Sequence, residues 1–147
     1  MKKLGKALQK LTLEILVTTV VLMCISISVE GMYLLGMPKA ETIRKVEISY
    51  PAVTAETKVL SGEEDIERCL NLTGFLKYKV FTRAEDAGTP TITMTFCLED
   101  DTTVTVAANE TTLWWKDKTY VLKHPKTFLN LTEGIYFLQE IQATQPE

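Results

Sequence analysis

The chain has 147 residues, 46% of them hydrophobic and 24% charged, and a formal net charge of −3. That length holds one packed domain plus an appendage rather than two full domains, and that apolar content excludes global disorder. The acidic balance, with no run of Lys and Arg in the body, argues against phosphate-backbone binding, so no nucleic-acid partner is expected.

The charge is unevenly spread. Residues 1–10 carry Lys2, Lys3, Lys6 and Lys10 and no acid; residues 11–37 carry only Glu14 and Glu30. From Pro38 onward 12 basic residues face 17 acidic ones, a net of −5. A basic head, an apolar stretch and an acidic body form a targeting pattern. The uncharged run Ile15–Val29 has 15 residues, a helix of roughly 22 Å. Taken back to Leu11 it reaches roughly 28 Å, close to the ~30 Å of a hydrocarbon core. Ile15, Leu16, Val17, Val20, Val21, Leu22, Ile25, Ile27 and Val29 supply the lipid-facing bulk. Glu14 follows Lys10 by four residues on one helix face, where both reach headgroups. A second apolar patch, Met32 to Met37, precedes Pro38, with Tyr33 suited to the interface.

Residues 11–37 are therefore expected to meet the lipid bilayer as a retained anchor. A cleaved signal, cut near Ser28 in the small-residue pattern Ser26-x-Ser28, is the alternative. A lipoprotein signal ending at Cys24 fits less well, because Met23 is not small. The four head lysines outweigh the mixed charges beyond the exit. The positive-inside rule thus places residues 1–10 in the cytoplasm and the C-terminal body outside, on a single-pass cell-membrane protein.

The body reads as α+β. Residues 38–42 are expected to be a tether, 43–142 the domain and 143–147 a frayed tail. Ile43–Tyr50 alternates, with Val46, Ile48 and Tyr50 on one face, and stops at Pro51. Thr57–Leu60 is a short strand. Ser61-Gly62-Glu63-Glu64 has the form of a capping box opening a helix over 62–73. This helix presents Ile66, Cys69, Leu70 and Thr73 on one side and ends at Gly74. Leu76, Tyr78 and Val80 alternate; so do Ile92, Met94, Phe96 and Leu98 against a polar set of Thr91, Thr93, Thr95 and Cys97. Glu99-Asp100-Asp101 turns into a strand with Val104, Val106 and Ala108. Asp117-Lys118 reads as a two-residue hairpin loop between Leu113–Lys116 and Thr119–Lys123. Pro125 opens a last helix carrying Phe128, Leu131, Ile135, Leu138 and Ile141. The expected architecture is two layers, an antiparallel sheet of five or six strands packed with two helices.

The chemistry-bearing residues are few. His124, the one histidine, precludes a multi-His zinc site and leaves little for a catalytic triad. Cys69 and Cys97 are assigned to opposite faces, against a disulfide, and neither has a base or Cys-x-x-Cys context. Glu63-Glu64-Asp65 is accounted for by the helix start, and Glu99-Asp100-Asp101 by a solvated turn without EF-hand spacing. No phosphate loop or nucleophile elbow occurs. No catalytic, metal or cofactor-binding residue is assigned, no cofactor is expected, and the chain is read as not an enzyme. Asn71, Asn109 and Asn130 each begin Asn-x-Thr, but with 25 Ser and Thr in the chain such matches are frequent. Trp114-Trp115 is the unusual dipeptide: adjacent strand residues face opposite ways, so one is free for outside contact. Trp114, Trp115 and Lys116 are the candidate partner contact.

The run Ser61 to Ile66 with Leu70 and Tyr78, then Thr102–Ala108, Trp114 to Tyr120 and Leu131 to Ile135, resembles small uncharacterised extracytoplasmic proteins of Gram-positive bacteria that carry an N-terminal anchor or a lipoprotein signal. The resemblance implies location and an α+β domain and supplies no site. The expected role is non-enzymatic contact with an envelope protein or surface ligand. The alternative is an accessory subunit of an envelope sensor or transporter, acting through the membrane helix. A reporter that fluoresces only in the cytoplasm, fused after Glu147, is expected to stay dark; a bright fusion contradicts the orientation.

Overall fold

The apolar segment forms one helix, α1 (Lys2–Glu30). In this computed structural model the described residues are 2–52, 54–124, 126, 128–130 and 132–136. Leu8–Glu30, 23 residues containing an 18-residue stretch of mean hydropathy 2.2, is long and apolar enough to cross a membrane. At 1.5 Å per residue it spans roughly 34 Å. Eight of the nine anchor residues named above are exposed and Ile27 is half-buried, so the apolar side chains of the span are left uncovered by the body. The hydroxyls of Thr18, Thr19 and Ser28 donate to the carbonyls of Glu14, Ile15 and Cys24, each at 2.8 Å. No hydroxyl donor of these three would enter lipid unsatisfied. Lys10 and Glu14 pair at 3.8 Å as their spacing requires.

The body is an eight-stranded antiparallel sheet: β1 (Met32–Tyr33), β2 (Ile43–Ser49), β3 (Thr57–Leu60), β4 (Lys77–Lys79), β5 (Ile92–Leu98), β6 (Thr103–Ala108), β7 (Thr112–Trp115) and β8 (Lys118–Leu122). Their spatial order is β1-β4-β8-β7-β6-β5-β2-β3. α2 (Glu63–Gly74) joins β3 to β4. A 3-10 turn, Ala40–Thr42, precedes β2, and residues 126, 128–130 and 132–136 are helical (α3). The α+β class stands. The expected five or six strands with two helices is inexact: all seven runs read above pair into the sheet, β1 adds an eighth strand from the stretch read as anchor, and a 3-10 turn lies in the stretch read as tether.

Alternation builds the core. Paired residues share a face, so Val46, Phe96, Ile48, Met94, Val106, Trp115, Leu113 and Tyr120 form one surface. Phe96, Ile48, Met94, Val46, Val106 and Leu113 are fully excluded from solvent. α2 lays Ile66, Cys69, Leu72 and Thr73 inward, and Phe128 and Tyr136 of α3 join the same core. Burial pushes the Cys69 thiol up to about 12. Cys69 and Cys97 are both free.

β3, β4 and β5 run in the same direction, as the chain of antiparallel pairings requires. Each link between them must therefore cross the sheet. α2 travels one way, from β3 to β4, and residues 80–91 travel back, from β4 to β5. The right-handed crossover rule sends the two to opposite faces. Ala107 and Thr112, on the face away from α2, are 4% and 0% exposed. Asn109 secures this loop by donating to Ala87 and Thr89 carbonyls at 2.8 and 3.2 Å. Its amide is thus committed to structure, while Asn71 and Asn130 are exposed.

Two local expectations shift by one residue. The N-cap of α2 is Gly62 rather than Ser61, with no side-chain capping bond. Glu63, Glu64 and Asp65 instead meet the helix dipole directly, and Arg68 pairs with Glu64 and, at 3.6 Å, with Asp65. The β7–β8 loop is Lys116-Asp117, both left-handed at φ 49° and 58°; a two-residue hairpin with matching twist requires that conformation at both positions. Of the last-helix residues expected, Pro125, Leu131, Leu138 and Ile141 lie outside the described residues, as does the 143–147 tail.

α3 is fastened to the β2–β3 hairpin through polar groups. The Tyr50 hydroxyl donates to Glu133 Oε1, Lys58 Nζ donates to the Tyr136 carbonyl, and the two tyrosine rings meet edge-on at 6.3 Å. The hydrogen bond to Glu133, then burial, raises the Tyr50 pKa. Stability from this bond is full below the ordinary value of 10.0 and falls as pH rises through the elevated one. Tyr50→Phe is expected to cost about 1–2 kcal/mol at neutral pH and to flatten that alkaline loss, read by urea unfolding across pH.

Candidate functional site

Two places bring together groups that the rest of the fold does not use. The first is the sheet face turned away from α2. Trp114 sits on it, paired with Ala107 and Thr119. Thr93 and Thr95 of β5 and Thr105 of β6 share the face, and Thr95 and Thr105 hydroxyls meet at 3.3 Å. Trp114 is half-buried among them. An aromatic ring in a bed of short hydroxyl side chains offers a flat surface with polar handles. Toward the β2 side, Lys45 pairs with Glu47 at 2.7 Å, which holds its ammonium above the ordinary value.

The fold separates the sequence-predicted trio. Trp115 is core, 4% exposed. Lys116 leaves the sheet at the turn; its Nζ lies 5.1 Å over the Trp115 ring and donates to the Leu35 carbonyl at 3.1 Å. Trp115, Lys116 and Asp117 line an open cleft of about 380 Å³ together with Thr103, Thr105 and Gly36. Trp114 alone of the three presents its ring on the open face.

The second place is the junction between α1 and the sheet. Gly31 stands at φ 77° and its amide donates to the Ile27 carbonyl at 2.9 Å. A left-handed glycine after the last helical turn is the usual helix stop. Here it delivers the chain straight into β1, where Met32 and Tyr33 pair with Tyr78 and Lys77. A side chain at Gly31 would meet the Tyr78 carbonyl oxygen at 3.0 Å. Lys123 Nζ donates to the Val29 carbonyl, and Lys77 pairs with Glu30 at 3.6 Å while lying 4.7 Å over the Tyr33 ring. Contact with Tyr33, then with Glu30, raises the Lys77 pKa. Two body cations thus face the negative end of the helix dipole.

From β1 the chain must reach β2, six strand positions away, roughly 29 Å along the sheet at ~4.8 Å per step. Ten residues reach at most ~35 Å. Residues 34–42 are accordingly a strap with little slack. Leu34 is in the core, and Met37 and Ala40 pack against it.

The acidic groups are structural. Asp100 accepts from the Thr102 hydroxyl at 2.6 Å and its amide at 3.0 Å, bonds that lower its pKa in that order. Asp101 pairs with Arg44 at 3.0 Å. No group of three or more metal-ligating side chains occurs among the described residues. His124 is exposed beside the strand end.

No family model, curated protein or solved structure matches this chain. The sequence reading missed Lys77 and Lys123 at the junction. Its only sequence signal was Gly31 directly after the apolar run, which marked the exit without naming its partners.

Gly31→Ala is expected to cost roughly 1–2 kcal/mol from the left-handed backbone and to loosen β1 selectively. Hydrogen exchange should quicken at Met32, Tyr33 and Tyr78 and stay unchanged in β5 and β6; uniform change would contradict a local junction role.

Proposed function

We propose that this chain is a membrane-anchored extracytoplasmic domain that acts by binding rather than catalysis, with the Trp114 face as its contact surface. The observation that carries the reading is the junction. An apolar helix of membrane length, exposed along its span except at half-buried Ile27, ends where Lys77 and Lys123 engage its last residues. Cleavage near Ser28 would remove the helix but leave Val29 and Glu30 with the body, so the fold itself survives either fate. The basic head supports a cytoplasmic N-terminus. The likeness to envelope proteins of Gram-positive bacteria agrees and rests on residue pattern alone.

Fixing the body to an anchor leaves one broad face to meet partners. On the Trp114 face a ring among threonines suits a glycan or a flat protein surface, in the manner of aromatic-centred contacts. A photoreactive phenylalanine analogue at Trp114 of the full chain in cells is expected to give adducts with an envelope component, and the same group at Val59 on the far edge is not. Absence of adducts at Trp114 would overturn the contact surface. Adducts that persist at Trp114 but vanish when α1 is exchanged for an unrelated span would favour the accessory-subunit reading. Intact mass of membrane-extracted protein decides the anchor: full mass is expected, and loss of the first 28 or so residues contradicts it.

A further inference from the structure

The body carries 17 acids to 12 basic residues, yet two segments hold none of the acids. Residues 77–83 contain Lys77, Lys79 and Arg83, and residues 118–126 contain Lys118, Lys123 and Lys126. They are far apart in sequence, but β4 and β8 are neighbours, with Tyr78 opposite Leu122 and Lys79 opposite Val121. β1, the strand that continues α1, lies on the other side of β4. Half of the body's cations therefore lie in two acid-free segments, whose strands β4 and β8 run side by side next to β1.

Direction matters as much as adjacency. β1 runs antiparallel to β4, so stepping back from Tyr33 to Met32 toward the helix matches stepping forward from Lys77 to Tyr78 toward Phe81. The helix end and Phe81 thus lie toward the same end of this edge. β8 is antiparallel to β4, which puts Lys118 toward that end too. Phe81 is 77% exposed and Tyr33 48%, and Lys79, Arg83 and Lys118 are exposed. Large exposed aromatics flanked by cations are the composition of a protein surface that rests at a headgroup layer.

We propose that the β1–β4–β8 edge docks on the anionic phospholipid headgroups of the bilayer that α1 enters, with Lys79, Arg83 and Lys118 against phosphate and with Phe81 and Tyr33 at the interface. This rests on the anchored reading above. The taut strap and the junction contacts hold the edge close to the point of helix exit. The acidic remainder of the body is repelled from the same surface. Docking would set the Trp114 face at a fixed attitude to the membrane.

The test uses the full chain with Cys24→Ala, carrying a fluorophore at Phe81→Cys or, as a control, at Val59→Cys on the far edge. It is reconstituted in vesicles of phosphatidylcholine alone or mixed with phosphatidylglycerol, and quenching by aqueous acrylamide is measured. Flotation with both vesicle types comes first, and failure to float removes the anchored reading itself. In protein that floats, Phe81 is expected to be protected in anionic vesicles, exposed in neutral ones, and exposed again in high salt, with Val59 quenched throughout. Combined Lys79→Glu, Arg83→Glu and Lys118→Glu should abolish protection while the unfolding temperature is kept. Equal quenching at Phe81 in both lipids, or protection that ignores salt, overturns the proposal whether or not the charge variant folds.

Discussion

A single left-handed glycine governs how this molecule is put together. Gly31 ends α1 and turns the chain into β1 without an intervening linker. An alanine there would meet backbone strain and the Tyr78 carbonyl. Because the junction is tight, the carbonyl end of α1 comes within reach of Lys123, and Glu30 within reach of Lys77. Because β1 is consumed at one edge, residues 34–42 must stretch across the sheet to begin β2 near the other. The strap, the hidden Leu34 and the Lys116 bond to the Leu35 carbonyl all follow from that one turn.

The sheet solves a second problem, how to place three parallel strands without long helical returns. α2 provides one crossover, twelve residues long. The other is a loop, and Asn109 holds it by bonding Ala87 and Thr89 on one side while its Oδ1 accepts from Thr111 and Thr112 amides at 2.9 and 2.7 Å on the other. One asparagine thus ties the crossover to the β6–β7 turn. On the same face Ala107 and Thr112 are buried while Trp114 stays half-open.

Much of the fold was legible because burial on one face imposes period two. Val46, Ile48, Met94, Phe96 and Val106 alternate and were placed correctly. The apolar length and the Lys10–Glu14 pair of α1 were equally plain, since both depend on local spacing. What local pattern could not reveal was long-range pairing. Met32–Tyr33 has no alternation to read in two residues, and its strand character comes from β4, more than forty residues on. Ser61 had the capping-box spacing, but the helix begins one residue later, and the dipole interaction of three acids serves at either start. The shift of the β7–β8 loop has a related origin: Asp117 fits a turn in either register, and sliding the loop by one residue leaves Trp115 and Tyr120 on their faces, so alternation could not choose between them. The basic edge was invisible for the same reason as β1, because its two halves become neighbours only in the folded sheet.

The most direct test of the account is whether α1 and the body move as one. Spin labels at Thr18→Cys on the helix and Glu110→Cys at the β6–β7 turn, in a Cys24→Ala background within lipid nanodiscs, report their separation by pulsed dipolar spectroscopy. A distance distribution as narrow as that of a pair wholly inside the body, Val59→Cys with Glu110→Cys, is the predicted result. A broad distribution for the helix–body pair beside a narrow one within the body would show a body swinging freely on its anchor, and the central claim would fail.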